Sequence, residues 1–172
     1  MLHSSHFLLV ITALLCTSAS AQLLWQGAHA GMTVEQVRSA VPDAKLTADS
    51  HQTILDGSVE LLRIEEVPIN DQNFAASFYF RQSGLRQVSL SLTNQPWPAI
   101  ESSFQNLLVL LRLKYGPETR HDQIVGGERK TLEARWNTGG TTVSMTAWRF
   151  KHANSDLFIA YRPSVSRVAP RL

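Results

Sequence analysis

Hydrophobic positions change period several times along this chain. Val34, Val37 and Val41 fall three and four residues apart, the spacing of one helix face. The run opens with Gly31-Met32-Thr33-Val34-Glu35-Gln36-Val37. Thr33 and Gln36 stand three apart, where hydroxyl and amide can cap each other's backbone N–H, and Met32 and Val37 can staple the first turn. Pro42 ends this short helix. A second, longer helix is predicted from about Pro98 to Tyr115. Ile100, Phe104, Leu107, Leu108, Leu111 and Tyr115 keep a near-3.6 period, and Leu110 and Leu113 widen the stripe. Gly116 and Pro117 supply the stop.

Elsewhere the period is two, the alternation of a strand with one wet face. Ser58–Ile69 reads as a strand. Phe74–Arg81 and Arg86–Thr93 flank a Gly84 turn and read as a hairpin. Phe74, Ala76, Phe78 and Phe80 share one face of it, with Val88, Leu90 and Leu92 on the partner strand. Arg129–Asn137 and Thr141–Phe150 form a second hairpin through Gly139-Gly140, and Asp156–Arg162 is a last strand. Glu118–Gly127, without periodicity, reads as a polar loop. Each half is thus a helix followed by antiparallel strands. The predicted class is α+β: two helix-plus-antiparallel-sheet units, about 30–94 and 95–162, packed as one domain.

The first residues carry an address. Phe7–Leu15 is a continuous apolar run, too short to span a bilayer, and Ala19-Ser20-Ala21 fits a signal-peptidase site. Residues 1–21 are therefore expected to be a cleaved signal peptide, and the protein periplasmic or secreted. Leu15 directly before Cys16 fits a lipidation box poorly. Cleavage after Ala21 removes Cys16, the single Cys, so the mature chain can form no disulfide and relies on its core. The net charge of +2 is too small for a dedicated nucleic-acid binder. Its basic excess lies late, at Arg149, Lys151, Arg162, Arg167 and Arg171. Residues 163–172 read as a flexible basic tail, able to contact anionic surfaces.

Candidate chemistry is sparse. His29, His51, His121 and His152 form no metal-ligand spacing, and His121-Asp122, the nearest thing to an acid–base pair, falls in the polar loop. Glu65 and Glu66 are adjacent and so point to opposite strand faces, whereas Glu60 and Glu66 would share one. No Gly-x-Ser-x-Gly or phosphate loop occurs. The reading is of no catalytic residues, no cofactor and no metal. Trp136 is in phase with Leu132 and Ala134, hence core. Trp148 is in phase with Thr142, Ser144 and Thr146, and Tyr79 is out of phase with Phe78 and Phe80. Aromatics on a hydroxyl-rich sheet face suit a partner surface, because they give large contact area with little entropy to lose. Tyr79, Arg81, Arg135, Ser144, Thr146, Trp148 and Arg149 are the candidate partner-binding residues.

Gly31-Met32-Thr33-Val34-Glu35-Gln36-Val37-Arg38 resembles the helix start of the SmpA/OmlA family of bacterial envelope proteins, whose wider group includes the β-lactamase inhibitory protein. Ala40-Val41-Pro42 stands where that family usually carries Leu-Gly-x-Pro, and Lys114-Tyr115-Gly116-Pro117 looks like the same punctuation in the second half. The resemblance implies tandem helix-plus-sheet units and a binding or scaffold role in the envelope. The expected function is an exported, non-enzymatic protein-binding or envelope-maintenance module, its partner another envelope or secreted protein. A small-ligand carrier for lipid or glycan, or an enzyme of unknown type, is the alternative.

Overall fold

Period-two stretches become strands here because each can bury one face and leave the other polar. In a computed structural model, which describes residues 22–47, 52–82, 84–126, 129–150 and 154–164, they assemble into one antiparallel sheet of eight strands. Its spatial order is β3 (Lys45–Leu46), β4 (Val59–Ile69), β5 (Gln72–Arg81), β6 (Gly84–Gln95), β10 (Ser155–Pro163), β9 (Thr141–Phe150), β8 (Arg129–Thr138) and β7 (Arg120–Gly126). A separate small hairpin joins β1 (Leu23–Trp25) and β2 (Ala28–His29). The architecture is α+β, with strand predominating over two helices. The expected signal peptide at 1–21 and the tail from 165 onward lie outside the described residues. Pro163 belongs to β10, and Ser164 donates its backbone N–H to Gly140 at 2.5 Å.

Local chemistry fixes the turns. Asn70 and Asp71, between β4 and β5, both have positive φ, as do Gly139 and Gly140 between β8 and β9. A two-residue hairpin of type I′ needs this at both positions, and its twist matches that of the flanking strands. The Gly139-Gly140 pair is legible in sequence; the Asn-Asp turn has the same residue logic.

Helix α1 (Val34–Ala40) begins as its capping box requires. The Thr33 backbone N–H donates to Gln36 Oε1 at 2.9 Å, and Gln36 N–H donates to Thr33 Oγ1 at 3.3 Å. Helix α2 runs Trp97–Tyr115 and buries Ile100, Phe104, Leu107, Leu108 and Leu111. The wider stripe does not hold: Leu110 and Leu113 are exposed, Leu113 by 80%, because one helix face meets the sheet and these residues turn past its edge.

Both helices and the β1–β2 hairpin enter one core with a single face of the sheet, which Phe74, Phe78, Val88, Leu90, Met145 and Ile159 line. Trp25 meets Phe78 edge-on, ring centres 6.0 Å apart. Trp136 is 1% exposed, as its phase predicts, and its indole N–H donates to the Gly116 carbonyl at 3.0 Å. One side chain thus fills the core and satisfies a carbonyl at the end of α2.

Two strand assignments change. Residues 120–126, expected as loop, form the edge strand β7, paired only with β8. An edge strand exposed on both faces leaves no apolar alternation, so sequence periodicity cannot find it. In β4 the pairing register shifts between Glu60 and Leu62 and again between Ile64 and Val67. Each bulge inserts one residue: the first brings the odd-spaced Glu60 and Arg63 to one face, and Glu65 and Glu66 fall within the second.

Candidate functional site

The face of the sheet opposite the helices holds a groove of about 580 Å³. Strand register lays its side chains out in rows. Tyr79 lies beside Gln87, Ser77 beside Ser89, Ala160 between Ser89 and Ser144, and Ser144 beside Arg135. Two residues further along, Phe158 lies between Ser91 and Thr146. Trp148 follows, its ring centre 5.2 Å from that of Phe158. The Arg129 guanidinium lies 5.7 Å from the Trp148 ring centre. From the other side Gln52, Ile54 and Leu55, in the segment before β4, close over the groove.

The two ends of the groove differ in charge. At β4 and β5 the first bulge turns Glu60 and Arg63 to the same face, although an odd spacing in a regular strand would separate them. Glu60, 1% exposed, accepts from Arg63 at 3.2 Å. Arg63 also bonds Ser77 Oγ at 3.1 Å and Glu65 at 2.9 Å. Two carboxylates therefore neutralise this arginine. Burial raises the Tyr79 hydroxyl pKa, Glu60 adds to the shift, and the Ser77 hydrogen bond and Arg63 oppose it. Tyr79 stays a neutral phenol.

At the other end Arg135 and Arg162 face the groove, and among the described residues neither is in an ion pair. Arg162 donates from Nε to Gln87 Oε1, and the Gln87 amide donates to Ser89 Oγ at 2.5 Å. Burial pushes the Arg162 pKa down, Asp56 opposes this, and the nearby positive charge of Arg135 adds to it. Asp56 itself is pushed up by burial, but hydrogen bonds from Ser58 and the charges of Arg81 and Arg162 outweigh that, so its carboxyl sits below the ordinary value. No Asp or Glu lines the groove among the described residues.

Of the expected partner-binding residues, Tyr79, Arg135, Ser144, Thr146 and Trp148 line this groove. Arg81 does not; it is exposed at its rim, beside Asp56. Arg149 is a correction. It follows Trp148 in β9, so it points to the other face, where its guanidinium lies 5.8 Å from the Trp97 ring centre. Lys130, its cross-strand partner, lies 5.1 Å from the same ring and pairs with Glu101 at 2.6 Å. Those two cations hold the start of α2 to the sheet.

Sequence reasoning missed Phe158, Arg162, Gln87 and Ser89. The first two are within its reach: in Asp156–Arg162 the residues Leu157, Ile159 and Tyr161 bury, so Phe158, Ala160 and Arg162 alternate onto the open face. Gln87 and Ser89 are buried, which the polar phase of their own strand does not signal.

The His121-Asp122 pair is not assembled. In β7 the two residues face opposite ways, opposite Ala134 and Glu133. His121 Nδ1 lies 3.3 Å from Glu118, and Asp122 pairs with Arg120. His51 and His152 lie outside the described residues. No group of three or more His, Cys, Asp or Glu able to hold a metal occurs among the described residues. No helix among them is long and apolar enough to cross a membrane. Comparison with known proteins identifies no relative: no protein-family model, curated protein or solved structure matches the chain.

Proposed function

We propose that this protein is an exported, non-enzymatic binding module that engages another envelope or secreted protein through its groove-bearing sheet face. The observation that carries this reading is the placement of Trp148 and Phe158. Both rings stand half-buried on the face that the helices do not cover, among hydroxyl groups and two arginines that form no ion pair among the described residues. Large rigid rings beside adaptable hydroxyls are the composition of a recognition surface. Envelope maintenance and inhibition of a partner enzyme are its two concrete forms. The SmpA/OmlA-like helix start, the apolar run at 7–15 and the Ala19-Ser20-Ala21 site support export and an envelope setting.

We also propose that the fold is two similar units joined edge to edge. The strand order supports this: β3 to β6 run inward from one edge, β7 to β10 run inward from the other, and β6 meets β10. A helix precedes most of the strands of each half.

A test has two arms. Full-length protein expressed in a Gram-negative host should be recovered from the periplasm with Gln22 as its first residue by mass spectrometry. Immobilised protein should capture a partner from the envelope fraction, and Trp148→Ala should lose at least tenfold in that capture. Leu113→Ala, on the exposed side of α2, should lose nothing. Equal capture by both variants overturns the reading. The groove volume also suits a small ligand. A tryptophan fluorescence shift on adding envelope lipids or glycans, without protein capture, would favour a carrier instead.

A further inference from the structure

We propose that the groove recognises an extended acidic segment of a partner protein, seating a carboxylate between Arg135 and Arg162 and an aromatic side chain, four residues away, on the Trp148–Phe158 pair. This rests on the partner-binding reading above and gives it a ligand chemistry.

Charge complementarity selects the carboxylate. Arg63 is spent on Glu60 and Glu65, whereas Arg135 and Arg162 are outside any ion pair among the described residues. In register they sit diagonally, Arg135 opposite Ser144 and Arg162 opposite Thr142, with β9 between. Two strand spacings of about 4.8 Å and an offset of two residues along the strand put their backbones about 12 Å apart, a gap that two long guanidinium side chains can close on one carboxylate. Gln87 already holds Arg162 from behind by accepting its Nε–H, which leaves the outer guanidinium N–H groups for a ligand. Glu133, on the same face, acts electrostatically on Arg120 across the edge of the sheet. The chain supplies its own precedent: Asp56, in the covering segment, already places a carboxylate in the field of Arg162.

Spacing selects an extended segment. Phe158 and Arg162 are four residues apart on one strand face, roughly 13 Å at about 3.3 Å per residue. An extended peptide repeats that distance between its own first and fifth side chains, which point the same way. Ser89, Ser144 and Thr146 lie between the two anchors, where hydroxyls can bond the backbone of the segment above them.

The probe is an acetylated, amidated pentapeptide, Phe-Ser-Thr-Ser-Glu, titrated into full-length protein with NMR detection of the Trp148 indole and the arginine Nε–H groups. Its controls are the same peptide ending in Gln and one with Glu second. Expected is saturable binding that moves the Trp148 indole. Affinity should fall about tenfold for the Gln peptide, for the misplaced Glu, and for Arg135→Gln or Arg162→Gln. Arg38→Gln, which removes a charge on α1, should leave affinity unchanged and guards against a general charge effect. Equal binding of the Glu and Gln peptides overturns the carboxylate assignment. No binding by any peptide, while Trp148→Ala still abolishes partner capture, overturns the ligand chemistry and leaves the partner reading standing. Capture indifferent to Trp148 overturns both. Phosphatidylglycerol vesicles that displace the Glu peptide and bind more tightly overturn it in favour of a lipid headgroup.

Discussion

The two faces of the eight-stranded sheet are built from the same strands by the same alternation, yet they do opposite things. On the helix side Phe78, Val88, Met145 and Ile159 interlock with α1, α2 and the β1–β2 hairpin in one continuous core. On the groove side Ser89, Ser144 and Thr146 bring hydroxyls, and the apolar bulk comes from Trp148, Phe158 and the covering residues Ile54 and Leu55. Burial explains every large side chain on the first face. It does not explain Trp148 on the second. A ring held where folding gains little from it is best understood through what it contacts outside the chain.

That contrast can be broken by substitution. The helix side should carry the stability. Trp136→Ala removes a buried ring and the donor to the Gly116 carbonyl together, so urea denaturation should show a loss of about 3–5 kcal/mol. If the loss is under about 1 kcal/mol, Trp136 does not anchor the core. Gly116→Ala should cost about 1–2 kcal/mol. Gly116 has φ 80° and ψ −169°, a region that only glycine enters freely, and an added Cβ would meet nothing within 4 Å, so the cost is conformational alone.

The groove side should behave differently. Trp148→Ala forfeits its contact with Phe158 and should cost about 1 kcal/mol of stability, while capture of the partner collapses. A stability loss as large as that of Trp136→Ala would make the two faces equivalent and remove the distinction. Thr146→Val, isosteric on the open face, should change stability by no more than about 0.5 kcal/mol.

The smallest effect tests the corner below α2. Arg112 holds Glu118 through bonds of 2.8 and 2.5 Å, and this pairing lowers the Glu118 carboxyl pKa from 4.5 to about 2. The folded value lies below the unfolded one, so the contribution is fully present above pH 4.5 and is lost as pH falls towards 2. Because Arg112 is exposed, solvent screens the pair and the contribution is small. Chemical denaturation of the wild type and Arg112→Gln should therefore differ at pH 6 and converge near pH 2. A difference that persists unchanged at low pH would assign the effect to something other than this pair.

Elements with local chemistry are legible in the residues themselves. Thr33 and Gln36 announce α1, and Gly116 announces the end of α2. The alternation of Val143, Met145 and Ala147 announces β9 and places Trp148 on the other face. Strand β7 is invisible to such reading because an edge strand with two wet faces has no period. Arg149 is misplaced when neighbours in sequence are treated as neighbours on a surface, because adjacent strand residues diverge. Glu60 and Arg63 come together through a bulge, and a bulge follows from strain and pairing in the sheet more than from the residues at that point.

By itself the sequence determined the helices, the hairpins and which face of each strand is apolar, because caps, turns and periodicity act over a few residues. The tertiary structure alone decided that β6 would pair with β10, residues such as Val88 and Tyr161 that are far apart in the chain. That pairing needs loop closure and a shared core, which no local pattern encodes. It is also what sets Tyr79, Ser89, Phe158, Arg162, Ser144 and Arg135 side by side on one face.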